Sequence, residues 1–422
     1  MKKIALLAYV SIMLGSTGFS ADFFCAYGNV GCLISAIEVS NGNDQDNSIF
    51  LAAGEYTLHT QIGTNPINGL PAITGRIRII GPEGIGSTID GGGGFRIFEI
   101  ASGGNVMLDW LGIRHGQTRN SGSGELCGGA ILNGGTLTIN RSTIYNNNTN
   151  KHSGGAICNL GSLSISHSDF RSNFAGNDSG GAIYSSGAMD VEDSFFSGNA
   201  SNFGSAIWSV GTGIMLRTTI SGNRADEGAI RASGTFWIED SSVARNTGSA
   251  ISNLGTMTIT NTTIFQNDGL SDGGGIFNSG NLLLKNSSVI ANKSVGAAGG
   301  IRNLRTIRLQ NSILAQNIRG SSPSDCSAIT SLGNNIIGSL AGCSVALRSS
   351  DIVGDPGVGS FIEDVLVYGS GHVPLMPGSP AINHGNDGAC SPRDQLGEPR
   401  RGICDIGAVE FQGIQKVEGS QN

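Results

Sequence analysis

The feature that most constrains this chain is a repeat built on the tetrapeptide GGAI, which begins at residues 128, 154 and 180. Its isoleucine recurs in eight repeats, at steps of 26, 26, 24, 23, 21, 25 and 25 residues. The eight positions are Ile131, Ile157, Ile183, Ile207, Ile230, Ile251, Ile276 and Ile301. A glycine-rich period of this size, without the apolar spacing of a helix, predicts a solenoid of stacked coils.

Each repeat contains the same pattern of strands and turns. The sixth and eighth residues after the isoleucine are apolar in nearly every repeat, as in Leu137 and Ile139, which is the alternation of a β-strand. The sixteenth residue is always asparagine: Asn147, Asn173, Asn199, Asn223, Asn246, Asn267, Asn292 and Asn317. Variation in length falls only between that asparagine and the next GGAI. We therefore predict an all-β fold, a right-handed parallel β-helix with terminal caps and about ten rungs, whose asparagines form a hydrogen-bonded ladder.

Composition limits the classes of partner. The chain has 422 residues, of which 67 are glycine and 14% are charged, and its net charge is −7. Nucleic acids and anionic membranes require clustered Lys and Arg, so neither is an expected partner. His115, His152 and His167 are scattered along the pattern. We therefore expect no metal site and no cofactor.

The N-terminus has the features of an export signal. Two lysines precede an apolar stretch from Ile4 to Leu14, and Gly18 and Ser20 suit a signal-peptidase site, which predicts cleavage after Ser20. A membrane anchor is the alternative, but it needs an apolar run of about 20 residues. After cleavage we expect no transmembrane segment and an exported protein, either secreted or at the surface of the cell envelope.

All eight cysteines lie after the predicted cleavage site, which fits an oxidising compartment. Three local pairs suggest disulfides: Cys25 with Cys32, Cys326 with Cys343, and Cys390 with Cys404. Cys127 and Cys158 are five coil positions and one rung apart in the repeat register. At about 3.3 Å per strand residue they would be too far apart for a disulfide, so we expect both to be free.

Three segments resemble families of bacterial exported proteins. GGAI paired with FRSN (170–173) and FSGN (196–199) resembles the repeats of polymorphic outer-membrane proteins. CLISAIEVSN, residues 32–41, is similar to the CSLREA-type N-terminal cap, and residues 320–411 resemble the choice-of-anchor Q domain. These resemblances imply an exported, pectin-lyase-like β-helix at the cell surface with a role in adhesion.

The repeats and the resemblances together divide the chain into five parts. These are a signal peptide (1–20), an N-terminal cap with the first rungs (21–99), the β-helix repeats (100–319), a choice-of-anchor Q-like domain (320–411) and a tail (412–422).

One group of carboxylates is a candidate catalytic site. Asp190 and Glu192 share the outward face of one strand, and Glu239 lies in the column of Glu192 two rungs on, roughly 9.6 Å away at about 4.8 Å per rung. A polysaccharide-cleaving enzyme would use such carboxylates. The alternative is a solvated surface, because the adjacent column reads Arg141, His167, Asp193, Arg217 and Asp240, as a cross-strand charge ladder would.

One group of aromatic residues is a candidate ligand-binding surface. Tyr184, Trp208 and Arg231 occupy one column, and Trp237 faces outward one rung beyond Trp208. Aromatic side chains on a flat sheet can stack on sugar rings, although such residues also simply cover a sheet.

The sequence as a whole favours an exported, non-catalytic β-helix that presents a surface for adhesion or ligand binding. The candidate ligands are a polysaccharide and a host or cell-surface molecule. Two alternatives stay open: a carbohydrate-active enzyme, of the polysaccharide lyase, hydrolase or epimerase type, and a structural protein of the envelope.

Overall fold

The computed structural model describes residues 21–413 apart from 63–66, 85, 119–126, 271–272, 297 and 365. The predicted signal peptide and most of the predicted tail lie outside the described residues. The chain winds into a β-solenoid whose successive coils add strands to three parallel sheets, here named A, B and C. The prediction of an all-β parallel β-helix is therefore confirmed.

Within the described ranges, sheets A and B each contain thirteen strands and sheet C contains nine. The strands of sheet A are Asp22–Cys25, Asp46–Leu51, Arg76–Ile80, Asn105–Asp109, Thr136–Asn140, Ser162–Ser166, Ala188–Glu192, Thr212–Leu216, Thr235–Glu239, Thr256–Thr260, Asn281–Lys285, Thr306–Gln310 and Thr330–Ser331. Those of sheet B are Gly54–Thr57, Ser87–Asp90, Leu111–Arg114, Thr143–Tyr145, Asp169–Arg171, Phe195–Ser197, Thr219–Ser221, Ser242–Ala244, Thr263–Phe265, Ser288–Ile290, Ile313–Ala315, Ile336–Ile337 and Ile352–Val353. Those of sheet C are Phe98–Ile100, Ile131–Asn133, Ile157–Asn159, Ile183–Ser185, Ile207–Ser209, Ile230–Ala232, Ile251–Asn253, Ile276–Asn278 and Ile301–Asn303.

Two further elements complete the secondary structure of the described residues. A small sheet D consists of Asp268–Gly269, Lys293–Ser294, Ile318–Arg319 and Ser322–Pro323. The helix α1, Val30–Asn41, begins where the Asn29 side chain accepts a hydrogen bond from the Cys32 N–H at 3.0 Å. It buries Leu33 and Ile37 completely against the first strands of sheet A. Sheets A and B extend beyond the GGAI repeats at both ends, which is why the solenoid is longer than the repeat count predicted.

Apolar columns fill the interior of the solenoid. Ile157 pairs in register with Ile131 on one side and with Ile183 on the other, and all three are fully buried. Phe170 and Phe196 stack with their ring centroids 4.7 Å apart. Identical side chains on successive rungs thus pack directly on each other, which fixes the register of the sheets.

The asparagine column forms a continuous buried ladder. From Asn147 to Asn317, the backbone N–H and the side-chain amide of each asparagine donate to Oδ1 of the next, at 2.9–3.1 Å. The last acceptor is Asp325, which receives both bonds from Asn317 and a third from the Ser339 N–H at 2.7 Å. Every donor at this buried corner therefore has a partner, as burial requires.

The C-terminal part of the chain, residues 354–413, folds back over the outer face of sheet B, and we call it the return segment. It covers outward side chains of sheet B that are apolar, including Ala244, Phe265 and Ile290, and forms a second buried core with them. Phe361 of the return segment stacks on Phe265 with ring centroids 4.5 Å apart. The Thr263 hydroxyl also donates to Gln395 Oε1 at 2.6 Å.

All eight cysteines are paired. The three local disulfides form between Cys25 and Cys32, Cys326 and Cys343, and Cys390 and Cys404.

The fourth disulfide joins Cys127 to Cys158, so the expectation that both are free is wrong. Their Cα atoms are 5.5 Å apart. The expectation assumed extended residues between the two positions, but Gly128 has a φ of +75° and the chain turns sharply there. A Cβ atom at Gly128 would lie 3.1 Å from the Cys158 nitrogen, so the turn brings residue 127 over residue 158.

The Cys127–Cys158 disulfide should contribute measurably to stability. We expect Cys127→Ser to lower the free energy of unfolding by about 2–4 kcal/mol, because the bond closes a loop across one coil. Urea unfolding measures this change. Thiol titration of the denatured unsubstituted protein should detect no free thiol, and detection of two would contradict the pairing.

The asparagine ladder should be the most sensitive polar element of the interior. Asn223→Ala removes the side-chain amide bonds to Asn246 Oδ1 and to the Phe196 carbonyl, and it leaves the two donors of Asn199 without their Oδ1 acceptor. We expect a loss of about 3 kcal/mol or more in urea unfolding, since each unsatisfied buried group costs about 1–3 kcal/mol. The exposed Asn281→Ala is the matched control, and equal losses in the two variants would contradict the role of the ladder.

Candidate functional site

The outer face of sheet A brings together several side chains singled out from the sequence. Strand register places two outward columns side by side across three consecutive rungs. We name this patch the sheet A face, and it consists of Asp190, Glu192, Ile214, Leu216, Trp237 and Glu239. Trp237 is 41% exposed and the adjacent Ile214 is 44% exposed. An indole and an aliphatic side chain therefore form an apolar strip between carboxylates.

A groove runs beside the sheet A face, along the corner between sheets A and B. The residues that follow the strands of sheet A form one side, and the return segment forms the other side of a cavity of about 450 Å³. The lining includes His167, Asp193, Arg217, Asp240 and Tyr368. Tyr368 was not predicted from the sequence, because the return segment lies outside the repeats and only folding brings this residue to the groove.

Arg217 lies between the groove and the sheet A face and forms ion pairs with a carboxylate of each. Its Nε donates to Asp193 Oδ1 at 2.8 Å and its guanidinium also forms an ion pair with Glu192. Burial raises the pKa of Asp190, and the neighbouring charge of Glu192 raises it further. Of the three predicted catalytic carboxylates, Glu192 is thus held by an arginine, and Leu216 separates it from Glu239 in the column.

Asp240 has the most perturbed carboxyl group of the groove. Burial raises its pKa to about 6, against a hydrogen bond from the Asn261 side chain at 3.0 Å that lowers it. The charges of Glu239 and Asp394 raise the pKa and that of Arg217 lowers it. Desolvation therefore outweighs the nearby cation, and this carboxyl keeps its proton in mildly acidic solution.

The predicted aromatic column forms a separate cluster on sheet C. Tyr184 and Trp208 contact edge to face with ring centroids 6.1 Å apart, and the Arg231 guanidinium lies 4.9 Å from the Trp208 ring. Arg231 also lies 4.6 Å from the Phe203 ring and forms an ion pair with Glu227. These rings pack against one another, whereas Trp237 lies on a different sheet. The four predicted ligand-binding residues therefore do not form one surface.

A second groove, of about 430 Å³, lies near the first rungs at the corner that follows sheet B. His115 faces this groove, and its Nδ1 lies 3.0 and 3.2 Å from the two carboxylate oxygens of Asp90. Asp90 also accepts bonds from Gly92 N–H at 2.8 Å and from Arg114 Nε at 2.7 Å. Burial alone would raise the pKa of Asp90, but these three interactions together lower it. From the sequence, His115 was only one of three scattered histidines, and Asp90 was not singled out.

The described residues contain neither a candidate metal-binding cluster nor a candidate membrane-spanning helix. Within the ranges given above, no three His, Cys, Asp or Glu side chains are grouped so that they could hold a metal ion. The described part of the chain also contains no helix with the length and apolarity needed to cross a bilayer.

Comparisons with known proteins give one described structural neighbour. No protein-family model matches the chain and no curated protein matches it, so the three family resemblances stay predictions. One similar solved structure is a PL6 alginate lyase in complex with a trisaccharide, 13% identical to this chain. The alignment covers 84% of this chain and 91% of that chain, with a TM-score of 0.39.

The raised pKa of Asp240 predicts a pH-dependent stability. Between pH 4 and pH 6 the folded state keeps a proton that the unfolded state releases, so the free energy of unfolding should fall as the pH rises through this window. We expect the Asp240→Asn variant to lose the part of this fall in the free energy of unfolding that comes from Asp240. Urea unfolding at pH 4.5 and pH 7.5 measures it, with the exposed Asp226→Asn as control. An unchanged pH dependence in Asp240→Asn would contradict the assignment.

Proposed function

We propose that this protein is exported and binds a neutral polysaccharide along the sheet A face. The observation that carries the proposal is the exposed Trp237, next to the exposed Ile214, on a flat surface bordered by carboxylates. Contiguous exposed apolar patches on a protein surface can mark a binding site. This strip lies on regular strands, which fix the backbone position of Trp237.

The side chains of the face suit a sugar chain. An indole is a large amphipathic surface that can cover the apolar face of a pyranose ring. The carboxylates of Asp190 and Glu239 can accept hydrogen bonds from sugar hydroxyls, and such charge-assisted bonds are the stronger kind. Thr258 and Thr260 continue the two columns on the next rung with hydroxyl groups. An extended ligand can therefore lie along the solenoid and meet equivalent columns on successive rungs.

The charge of the surface favours neutral over acidic polymers. The sheet A face carries three carboxylates, and the nearby Arg217 is held by Glu192 and Asp193. A polyuronate would bring further negative charge to this surface, and like charges in proximity repel. The uncharged hydroxyl groups of a neutral polysaccharide are not repelled by these carboxylates.

The disulfides support export. Every cysteine is paired, and four disulfides in one chain are typical of an oxidising compartment outside the cytosol. Their positions, from the N-terminal helix to the return segment, link residues in both ends and the middle of the solenoid.

Trp237 should be the main determinant of affinity. We expect calorimetric titration of the purified protein with xylohexaose, cellohexaose and mannohexaose to detect binding of at least one, and hexagalacturonate not to bind. Trp237→Ala should weaken the binding about tenfold or more, the equivalent of about 1.4 kcal/mol. Leu160→Ala, which removes another exposed apolar side chain, is the matched control.

Binding at the aromatic cluster of sheet C, which contains Tyr184 and Trp208, would contradict the proposal. If Trp208→Phe abolished binding and Trp237→Ala left it intact, the ligand would lie on sheet C and the proposal would be wrong. Failure of all three neutral hexamers to bind a protein with an unchanged melting curve would also overturn it.

A further inference from the structure

The pair formed by Asp90 and His115 has the geometry of a positioned general base. The carboxylate of Asp90 is nearly inaccessible, with 6% of its side chain exposed, whereas 43% of the His115 side chain is exposed. The contact of His115 Nδ1 with a buried carboxylate favours the tautomer in which Nδ1 carries the hydrogen. In that tautomer of the neutral ring, Nε2 is the hydrogen-bond acceptor.

Asp90 is held so firmly that it can orient the ring. Its Oδ1 accepts the Gly92 N–H at 2.8 Å, and its Oδ2 accepts the Arg114 Nε at 2.7 Å. Arg114 is fixed in turn by an ion pair with Glu55 at 2.9 Å. Each partner of the carboxylate is therefore anchored, and Nδ1 of the imidazole meets a rigid acceptor.

His115 occupies a fixed corner position of the coil. Its backbone is left-handed, with a φ of +51°, and the equivalent residue on the next rung, Asn146, has a φ of +55°. Later rungs place Ser172, Arg245 and Gln266 at this corner, also with positive φ. The turn therefore accepts several residue types and does not require a histidine.

The groove in front of His115 is lined by hydrogen-bond donors and by glycines, which have no side chain to fill it. Gly92 and Gly93 form one part of the lining and both have left-handed φ values, +60° and +65°, which allow close approach to the backbone. The side-chain amides of Gln117 and Asn146 form another part. Amide N–H groups can stabilise a developing oxyanion.

The composition of this lining does not favour hydrolysis of a glycosidic bond. That reaction needs two carboxyl groups on either side of the bond, and the lining residues described here include only the buried Asp90. The adjacent cation, Arg114, is held by Asp90 and Glu55.

We propose that His115, oriented by Asp90, is the general base of a hydrolytic site for carboxylic esters carried by sugar hydroxyls, such as O-acetyl groups. The sugar part of this proposal rests on the proposed function, whereas the ester chemistry rests on the histidine and its groove. His115 is the catalytic residue and Asp90 is a positioning residue.

The reaction needs only water as the second reactant. His115 Nε2 accepts a proton from water while the water oxygen bonds to the ester carbonyl carbon, and the amides of the groove stabilise the oxyanion of the tetrahedral intermediate. The bond between that carbon and the sugar oxygen then breaks, and Nε2–H returns the proton to the sugar oxygen. The products are a carboxylic acid and a free sugar hydroxyl.

The experiment measures acetate released from partly O-acetylated xylohexaose by proton NMR, together with the hydrolysis of 4-nitrophenyl acetate. We expect the purified full chain to release acetate, and His115→Asn to lower kcat about a hundredfold or more, as loss of a general base does. Asparagine keeps the left-handed corner, so this variant should fold. His167→Asn is the matched control, because His167 also has a left-handed backbone, at +49°, and an aspartate neighbour.

The role of Asp90 has its own readout. Asp90→Asn presents an amide N–H to His115 Nδ1, which should then accept a hydrogen bond, so that the proton moves to Nε2 and the base is lost. Nitrogen-15 NMR of labelled histidine should show the Nδ1–H tautomer in the unsubstituted protein and the Nε2–H tautomer in this variant. A fall in kcat with an unchanged tautomer would overturn the positioning role.

The outcomes separate this proposal from the proposed function. Binding of neutral hexamers without acetate release, or release that His115→Asn leaves intact, would overturn ester hydrolysis and leave polysaccharide binding standing. His115-dependent cleavage of 4-nitrophenyl acetate by a protein that binds and deacetylates no hexasaccharide would support the dyad chemistry and overturn the sugar part.

Discussion

The hydrogen bonding between successive coils is the constraint on which the rest of this structure depends. In a parallel solenoid, the strands of all three sheets pair with the coils above and below. Each coil must therefore keep its strands in register with those of its neighbours. Backbone groups at the corners cannot join those sheets, and burial without a partner is costly. The asparagine ladder supplies the partners at one corner, from Asn147 to the carboxylate of Asp325. The conserved spacing within each repeat and the variable length of only one loop follow from this requirement.

Because the strands are in register, outward residues of different rungs together form continuous surfaces. Outward side chains on consecutive rungs lie in straight columns, so Asp190, Ile214 and Trp237 become neighbours although more than twenty residues separate each from the next. The return segment modifies this regular surface. It covers the rungs of sheet B whose outward residues are apolar and, at its edge, forms one side of the groove with Asp240. Its packing desolvates that carboxyl, which gives the groove an acid with an unusual pKa.

Single residues at repeated positions of the coil mark where chemistry can occur. Stacked coils present straight columns of side chains, and the residue type at a given position varies from rung to rung. His115 lies at a corner position that other rungs fill with Asn146, Ser172 or Arg245, and it faces a carboxylate from the previous coil. Trp237 lies in an outward column between Ile214 and Thr258. Each is a single residue, but the register gives it neighbours from adjacent rungs.

The sequence alone determined the coil, because a strict spacing of apolar residues and asparagines can be satisfied only by stacked strands in register. It therefore predicted the class of fold, the inward columns, the side-by-side carboxylates at Asp190 and Glu192, and the three local cysteine pairs. The tertiary structure decided what depends on the path of the chain outside the strands. The turn at Gly128 joined Cys127 to Cys158, the fold-back of residues 354–413 created the groove at Asp240, and the first rungs brought Asp90 to His115. Spacing along a strand is a local property that the sequence states directly, whereas these contacts depend on turns and long returns whose direction only the packed core fixes.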